Sequence, residues 1–294
     1  MTDRPEIDEA SGVETTGHEW DGIKELNNPL PRWWLWIFYA CIVWAVIYMV
    51  FMPAIPGLPG AQGATRGLRN HSERVNVAED MAALESSRAP FFNRLASSDL
   101  STIQNDPELF RFAMAAGESA FGDNCATCHG SGAQGFPGYP NLNDDVWLWG
   151  GMLPEIKETI LYGARSGHPQ AHVSAMPAFG ETGLLNRDQI SDLTEYVLSL
   201  SGQDHDAAAA ERAREVFTAN CVLCHQADGT GSQDLGAPNL TDQEWLYGGD
   251  ADTIYDTIWY SRQGVMPAWT DRLDEPLIDA LAIYVHSLGG GETG

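Results

Sequence analysis

Five residues, Cys125-Ala126-Thr127-Cys128-His129, recur as Cys221-Val222-Leu223-Cys224-His225, and this pair of motifs constrains the chain more than any other feature. Two thiols two residues apart can bond covalently to the two vinyl groups of one porphyrin, and the adjacent imidazole then faces the iron. Each copy reads as a c-type haem attachment signal. Cys125, Cys128, Cys221 and Cys224 are the expected attachment residues and His129 and His225 the expected iron ligands, so two covalently bound haem c groups are the expected cofactors. C-x-x-C also opens many zinc sites, but zinc needs four protein ligands, and neither pair has a second pair at finger-like spacing. Two copies 96 residues apart, each followed by a matching block, favour haem.

The blocks describe an internal duplication. Gly117 and Phe121 precede the first motif at helical spacing, as Ala213 and Phe217 precede the second. Pro140-Asn141-Leu142 is echoed by Pro238-Asn239-Leu240, Trp147-Leu148-Trp149-Gly150-Gly151 by Trp245-Leu246-Tyr247-Gly248-Gly249, and Met176-Pro177-Ala178-Phe179 by Met266-Pro267-Ala268-Trp269. Apolar helical periods around Tyr196 and Tyr284 close the two repeats. A Met thioether is a soft ligand that binds iron weakly and favours its reduced state, as an electron carrier requires. Met176 follows His129 by 47 residues and Met266 follows His225 by 41, so each repeat is expected to supply its own His and Met. The other reading of a Met is core filler. The Pro after each, which fixes the local backbone, argues for a ligand. Met152 lies too close to the Trp-Gly-Gly block to correspond to Met266, and His168 and His172 fall in an insertion absent from the second repeat. They read as surface or hydrogen-bonding groups, and His286 as structural.

Ahead of the repeats, residues 1–32 are polar and read as a mostly flexible tail. Residues 33–52 then run without a charge. At about 1.5 Å per residue this run spans the hydrocarbon core of a bilayer, with Trp33, Trp34 and Trp36 at one interface and Tyr48 near the other. A cleaved signal peptide would be shorter, nearer the N-terminus and followed by a small-residue site, which Pro53-Ala54-Ile55-Pro56 is not. Covalent haem attachment of this kind takes place outside the cytoplasm, so the tail is expected to be cytoplasmic and everything from residue 53 periplasmic. The order expected is a tail 1–32, a transmembrane helix 33–52, a periplasmic linker 53–105 that is Pro/Gly-rich over 53–64, and haem domains at 106–202 and 203–294. Phe91, Phe92 and Leu95 are candidate packing residues within the linker. Of five Cys, four are in the motifs and Cys41 is in the apolar run, leaving no pair for a structural disulfide. Sixteen Lys plus Arg stand against 41 Asp plus Glu, a net charge of -25, which repels nucleic acid and suits either a basic protein partner or simple solubility.

The repeats resemble the class I cytochrome c domain, an all-α fold in which the first helix of a domain crosses its last and haem fills much of the core. With about 90 residues per domain, a porphyrin would supply core area that the side chains cannot. The stretch His18-Glu19-Trp20-Asp21-Gly22-Ile23-Lys24-Glu25-Leu26-Asn27-Asn28-Pro29-Leu30-Pro31-Arg32-Trp33-Trp34 is similar to the segment that leads into the membrane helix of the dihaem subunit of cbb3-type cytochrome c oxidases. That resemblance implies a subunit of a bacterial inner-membrane terminal oxidase. It would pass electrons from soluble cytochrome c toward a monohaem c-type subunit and the catalytic haem-copper subunit, without binding oxygen itself. A free-standing membrane-anchored electron shuttle and the cytochrome subunit of a periplasmic dehydrogenase are the rival readings.

Overall fold

The computed structural model describes residues 6–57 and 65–292, so the Pro/Gly run expected over 53–64 lies outside the described residues from position 58 onward. The chain divides into two compact units, Met1–Glu85 and Ser86–Gly294.

The first unit departs from the expected flexible tail. Strands β1 (Thr15–Trp20) and β2 (Ile23–Leu26) pair antiparallel, with Trp20 opposite Ile23 and Glu19 opposite Lys24. Asp21 and Gly22 between them have φ of 48° and 84°, the two left-handed positions of a type I′ turn, whose twist suits a two-residue hairpin. Helix α1 (Arg32–Phe51) starts after Pro31, has no buried residue, and is long and apolar enough to cross a membrane. Its carbonyls would be left unpaired at the C-terminal end. The returning chain supplies donors: Leu68 N–H donates to Val50 O at 2.9 Å and Arg69 N–H to Phe51 O at 3.2 Å.

Helix α2 (Glu73–Ala96) begins in the first unit and ends in the second. The second unit continues through α3 (Leu100–Asn105), α4 (Pro107–Asn124), α5 (Ala126–His129), α6 (Leu153–Tyr162), α7 (Arg187–Leu200), α8 (Ala207–Asn220), α9 (Val222–His225), α10 (Ala251–Tyr260) and α11 (Glu275–His286). Part of the expected linker thus belongs to a core. Phe91 stacks on Phe112 at 4.9 Å, Phe92 meets the same ring edge-on at 5.2 Å, and Leu95 and Ile103 are fully buried against Leu109, Ala113 and Ile283.

The duplication is visible in the helix starts. Asp106 caps α4 by accepting from Glu108 N–H and Leu109 N–H, and Asp206 caps α8 by accepting from Ala208 N–H and Ala209 N–H. Both helices end at the first Cys of a motif, and the motif itself forms a single helical turn.

The pairing of helices differs from the expectation that each repeat closes on itself. Helix α4 packs along α11 and α8 along α7, so the closing helices are exchanged between the repeats. A methyl group at Gly117 would strike Ala280 O and Tyr284 Cβ, and Phe121 lies 5.5 Å from the Tyr284 ring. In the other pair Ala213 is fully buried, and Phe217 lies 4.8 Å from Tyr196. Phe121 and Phe217 are both essentially inaccessible, each worth about 1.5–3 kcal/mol relative to exposure. Helix α6 joins α4 and α11, while α10 joins α7 and α8, so two compartments form, each built from both repeats. Lys157 on α6 and buried Asp279 on α11 lie 2.6 Å apart across the first compartment, at ion-pair distance though not aligned as a hydrogen bond.

Candidate functional site

In each compartment the motif's imidazole is oriented by a proline carbonyl. His129 Nδ1 lies 3.0 Å from Pro140 O and His225 Nδ1 lies 3.1 Å from Pro238 O. A carbonyl accepts and cannot donate, so Nδ1 carries the proton and the Nε2 lone pair is left for a metal. Burial lowers the pKa of both imidazoles, outweighing the opposing effect of the carbonyl bond, and keeps them neutral as a ligand must be. The Pro-Asn-Leu blocks repeat in the sequence, but their role as anchors emerges only from this geometry.

Burial, and then the neighbouring Cys128 and Cys224, push the thiols of Cys125 and Cys221 up to about 11. The surroundings oppose a thiolate. A thioether bond to a porphyrin leaves sulfur uncharged and suits them. Among the described residues no three His, Cys, Asp or Glu side chains gather as a metal-holding group.

The methionines complete the exchange. Met176 lines one apolar cavity together with Cys221, Cys224 and His225, walled by Leu193, Val197, Phe217 and Ile254. Met266 packs in the other compartment with Cys125, Phe121, Leu142, Ile156 and Ile160. Backbone pairing holds each loop in place. Ala164 and Met266 exchange two N–H···O bonds, at 3.1 and 2.9 Å, and Trp269 N–H donates to Ile160 O at 3.2 Å. Reciprocally, Phe179 N–H donates to Ile258 O at 3.3 Å and Gly180 N–H to Trp259 O at 3.2 Å. Met176 therefore faces the second motif and Met266 the first, the reverse of one pair per repeat. Spacing along the chain could not reveal this, because the repeats carry the same residue types at the contact positions.

The donor set of two cysteines, a neutral imidazole and a thioether beside apolar walls fits a covalently attached haem in both compartments. The remaining candidates are engaged elsewhere. His172 stacks on Trp149 at 4.2 Å, with Nε2 3.1 Å from Thr159 Oγ1. His168 stacks on Tyr162 at 4.9 Å, His286 Nε2 lies 3.0 Å from Glu292 O, and Met152 is exposed at the start of α6. Trp147 of the first Trp-Gly-Gly block donates from Nε1 to Gly290 O at 2.6 Å, a further contact between repeats.

Comparisons with known proteins agree along the whole chain. Residues 12–59 match the family described as the N-terminal domain of cytochrome oxidase-cbb3, FixP; residues 114–201 match cytochrome c; and residues 208–285 match cytochrome c oxidase, cbb3-type, subunit III. The chain is 51% identical over 296 residues to the cbb3-type cytochrome c oxidase subunit FixP of Bradyrhizobium diazoefficiens, covering 99% of this chain and 100% of the relative. It is 50% identical over 293 residues to the subunit CcoP of Cereibacter sphaeroides, with the same coverage. The Azospirillum brasilense subunit CcoP is 48% identical over 294 residues, covering 98% of this chain and 99% of the relative.

Proposed function

The chain belongs to the FixP/CcoP family, the membrane-anchored cytochrome c subunit of cbb3-type cytochrome c oxidases, and from that premise we propose that it holds two haem c groups in exchanged compartments and relays electrons between them. Cys125 and Cys128 would attach one group, with His129 and Met266 to hold its iron. Cys221 and Cys224 would attach the other, with His225 and Met176 to hold its iron. Each group, when bound, supplies one-electron redox chemistry at its iron. The protein's part would be to supply a His and a Met to each iron, leave no open site for oxygen and keep both ligand pairs uncharged in apolar surroundings.

As a cbb3-type oxidase subunit the chain works in a complex with other oxidase subunits. The proposed route runs from a soluble cytochrome c, through this chain, to a monohaem c-type subunit and then to the catalytic haem-copper subunit. The proposed topology has α1 crossing the bacterial inner membrane once, the hairpin tail in the cytoplasm and both compartments in the periplasm. In sequence the proposed haem-bearing repeats are 106–202 and 203–294, and each contributes to both compartments.

The observation that carries this reading is the shared cavity of Met176, Cys221, Cys224 and His225. It is tested in a full-length chain whose first attachment site is removed by Cys125→Ala and Cys128→Ala, leaving one haem per chain. In that background Met176→Ala is expected to open the reduced iron to carbon monoxide and lower its potential, and Met266→Ala to do neither. The opposite result would restore ligation within each repeat.

A further inference from the structure

Two stretches of chain cross where the repeats exchange their methionine loops. Residues 163–175 lead from α6 to the Met176 loop, residues 261–265 lead from α10 to the Met266 loop, and they meet at the paired Ala164 and Met266 backbones. Arg165 lies at this crossing. Its Nε donates to Gly264 O at 2.6 Å and its Nη1 to Ser174 O at 2.9 Å. Those carbonyls stand two residues ahead of Met266 and two residues ahead of Met176. Its own backbone has φ of 54°, which a non-glycine residue adopts only when its surroundings hold it there, and its N–H donates to His172 O at 2.6 Å.

We propose that Arg165 is a positioning residue for both thioethers at once, so that one guanidinium sets the ligation of two irons. The inference rests on the methionine ligation proposed above. Arginine suits the task because its planar fork presents several donors in fixed directions, whereas lysine has one flexible ammonium. Two other side chains at the crossing, both on the stretch that leads to Met266, also reach across it, but they bond at Met176 alone and leave the carbonyls ahead of Met266 untouched. Ser261 Oγ donates to Met176 O, and Gln263 Nε2 donates to the same oxygen at 3.2 Å. Arg165 also lines the cavity that holds Met176, so its charge alone could influence the second iron. A lysine variant separates charge from geometry.

The experiment compares detergent-purified full-length chain with Arg165→Lys, Arg165→Met, and the double variant Ser261→Ala/Gln263→Ala. Covalent haem per chain is measured by pyridine haemochrome, methionine–iron ligation by the near-infrared charge-transfer band of the oxidised protein, and open sites by carbon monoxide bound per reduced chain. Wild-type protein is expected to show the band for both irons and to bind no carbon monoxide. Both Arg165 variants are expected to keep two haems, lose more than half of the band and bind carbon monoxide at more than one iron per chain. The Ser261/Gln263 variant is expected to lose at most half. A full band in Arg165→Lys, or a loss confined to one iron in both Arg165 variants, overturns the inference. Carbon monoxide binding by the wild-type chain would instead overturn the ligand assignment, and this inference with it.

Discussion

At Gly163 the backbone has φ of 71°, and an added Cβ would run into the Met266 carbonyl, with Pro267 O at 2.9 Å. With ψ of -177° this backbone is essentially reserved for glycine and costs an L residue roughly 1–3 kcal/mol, and the clash falls on the loop that presents Met266. Gly163→Ala is therefore expected to lower thermal stability and to lower the potential of the haem attached at Cys125 and Cys128, leaving the second close to its wild-type value. Redox titration of the variant in detergent checks this, and equal shifts at both sites would place the strain elsewhere. The proposed attachment and ligand residues could be read from the sequence because C-x-x-C-H and Met-Pro are local signals whose chemistry depends on adjacent positions. The carbonyls of Pro140 and Pro238 were not, because their role depends on where a loop folds back onto an imidazole.

Between elements, the sharpest electrostatic contact is Lys157 of α6 with Asp279 of α11, whose side chains are 21% and 8% exposed. Burial pushes the Asp279 carboxyl up and Lys157 opposes the shift, so the carboxylate depends on its partner. Lys157→Met is expected to cost about 3 kcal/mol, as for a buried pair broken on one side, and adding Asp279→Leu to recover most of it. Thermal unfolding followed by haem absorbance measures both. If the single and double variants are equally unstable, the loss comes from packing and not from the stranded charge. For α1, a reporter enzyme active only in the periplasm, fused ahead of Trp20, is expected to be silent, and activity there would invert the proposed topology. Helix α1 was legible from an uncharged run ending at Pro53. The hairpin before it also had a signal, Asp21-Gly22 between Trp20 and Ile23, obscured by the polar composition of the tail. The exchange of α7 and α11 had none. Gly117 and Phe121 need a tyrosine-bearing helix, and Tyr196 and Tyr284 satisfy that equally well on paper.

For the molecule as a whole, most of the negative charge lies beyond residue 52. Residues 1–52 contain 8 acidic and 3 basic groups, so of 41 acidic and 16 basic in the chain, 33 and 13 remain beyond residue 52, a net of -20 before haem propionates are counted. A field of that sign steers a basic donor, and it fades as salt shortens the Debye length to about 8 Å at physiological ionic strength. The second-order rate of electron entry from a basic cytochrome c, followed by stopped-flow, is expected to fall at least about tenfold between low and physiological salt. A flat dependence would indicate an uncharged docking patch or an acidic donor. The exchanged helices also bear on the order in which the protein comes into being. On the proposed topology, a chain made in N-to-C order delivers Cys125 and Cys128 to the periplasm first, yet α4 must wait for α11 while the whole second motif is synthesised in between. The second compartment needs nothing beyond α10 and the chain that immediately follows it, so it can close while α11 is still to come. The cysteines that reach the haem-attachment machinery first are thus the last to be enclosed, and the long-range pairing that encloses them is the slow kind of contact to form.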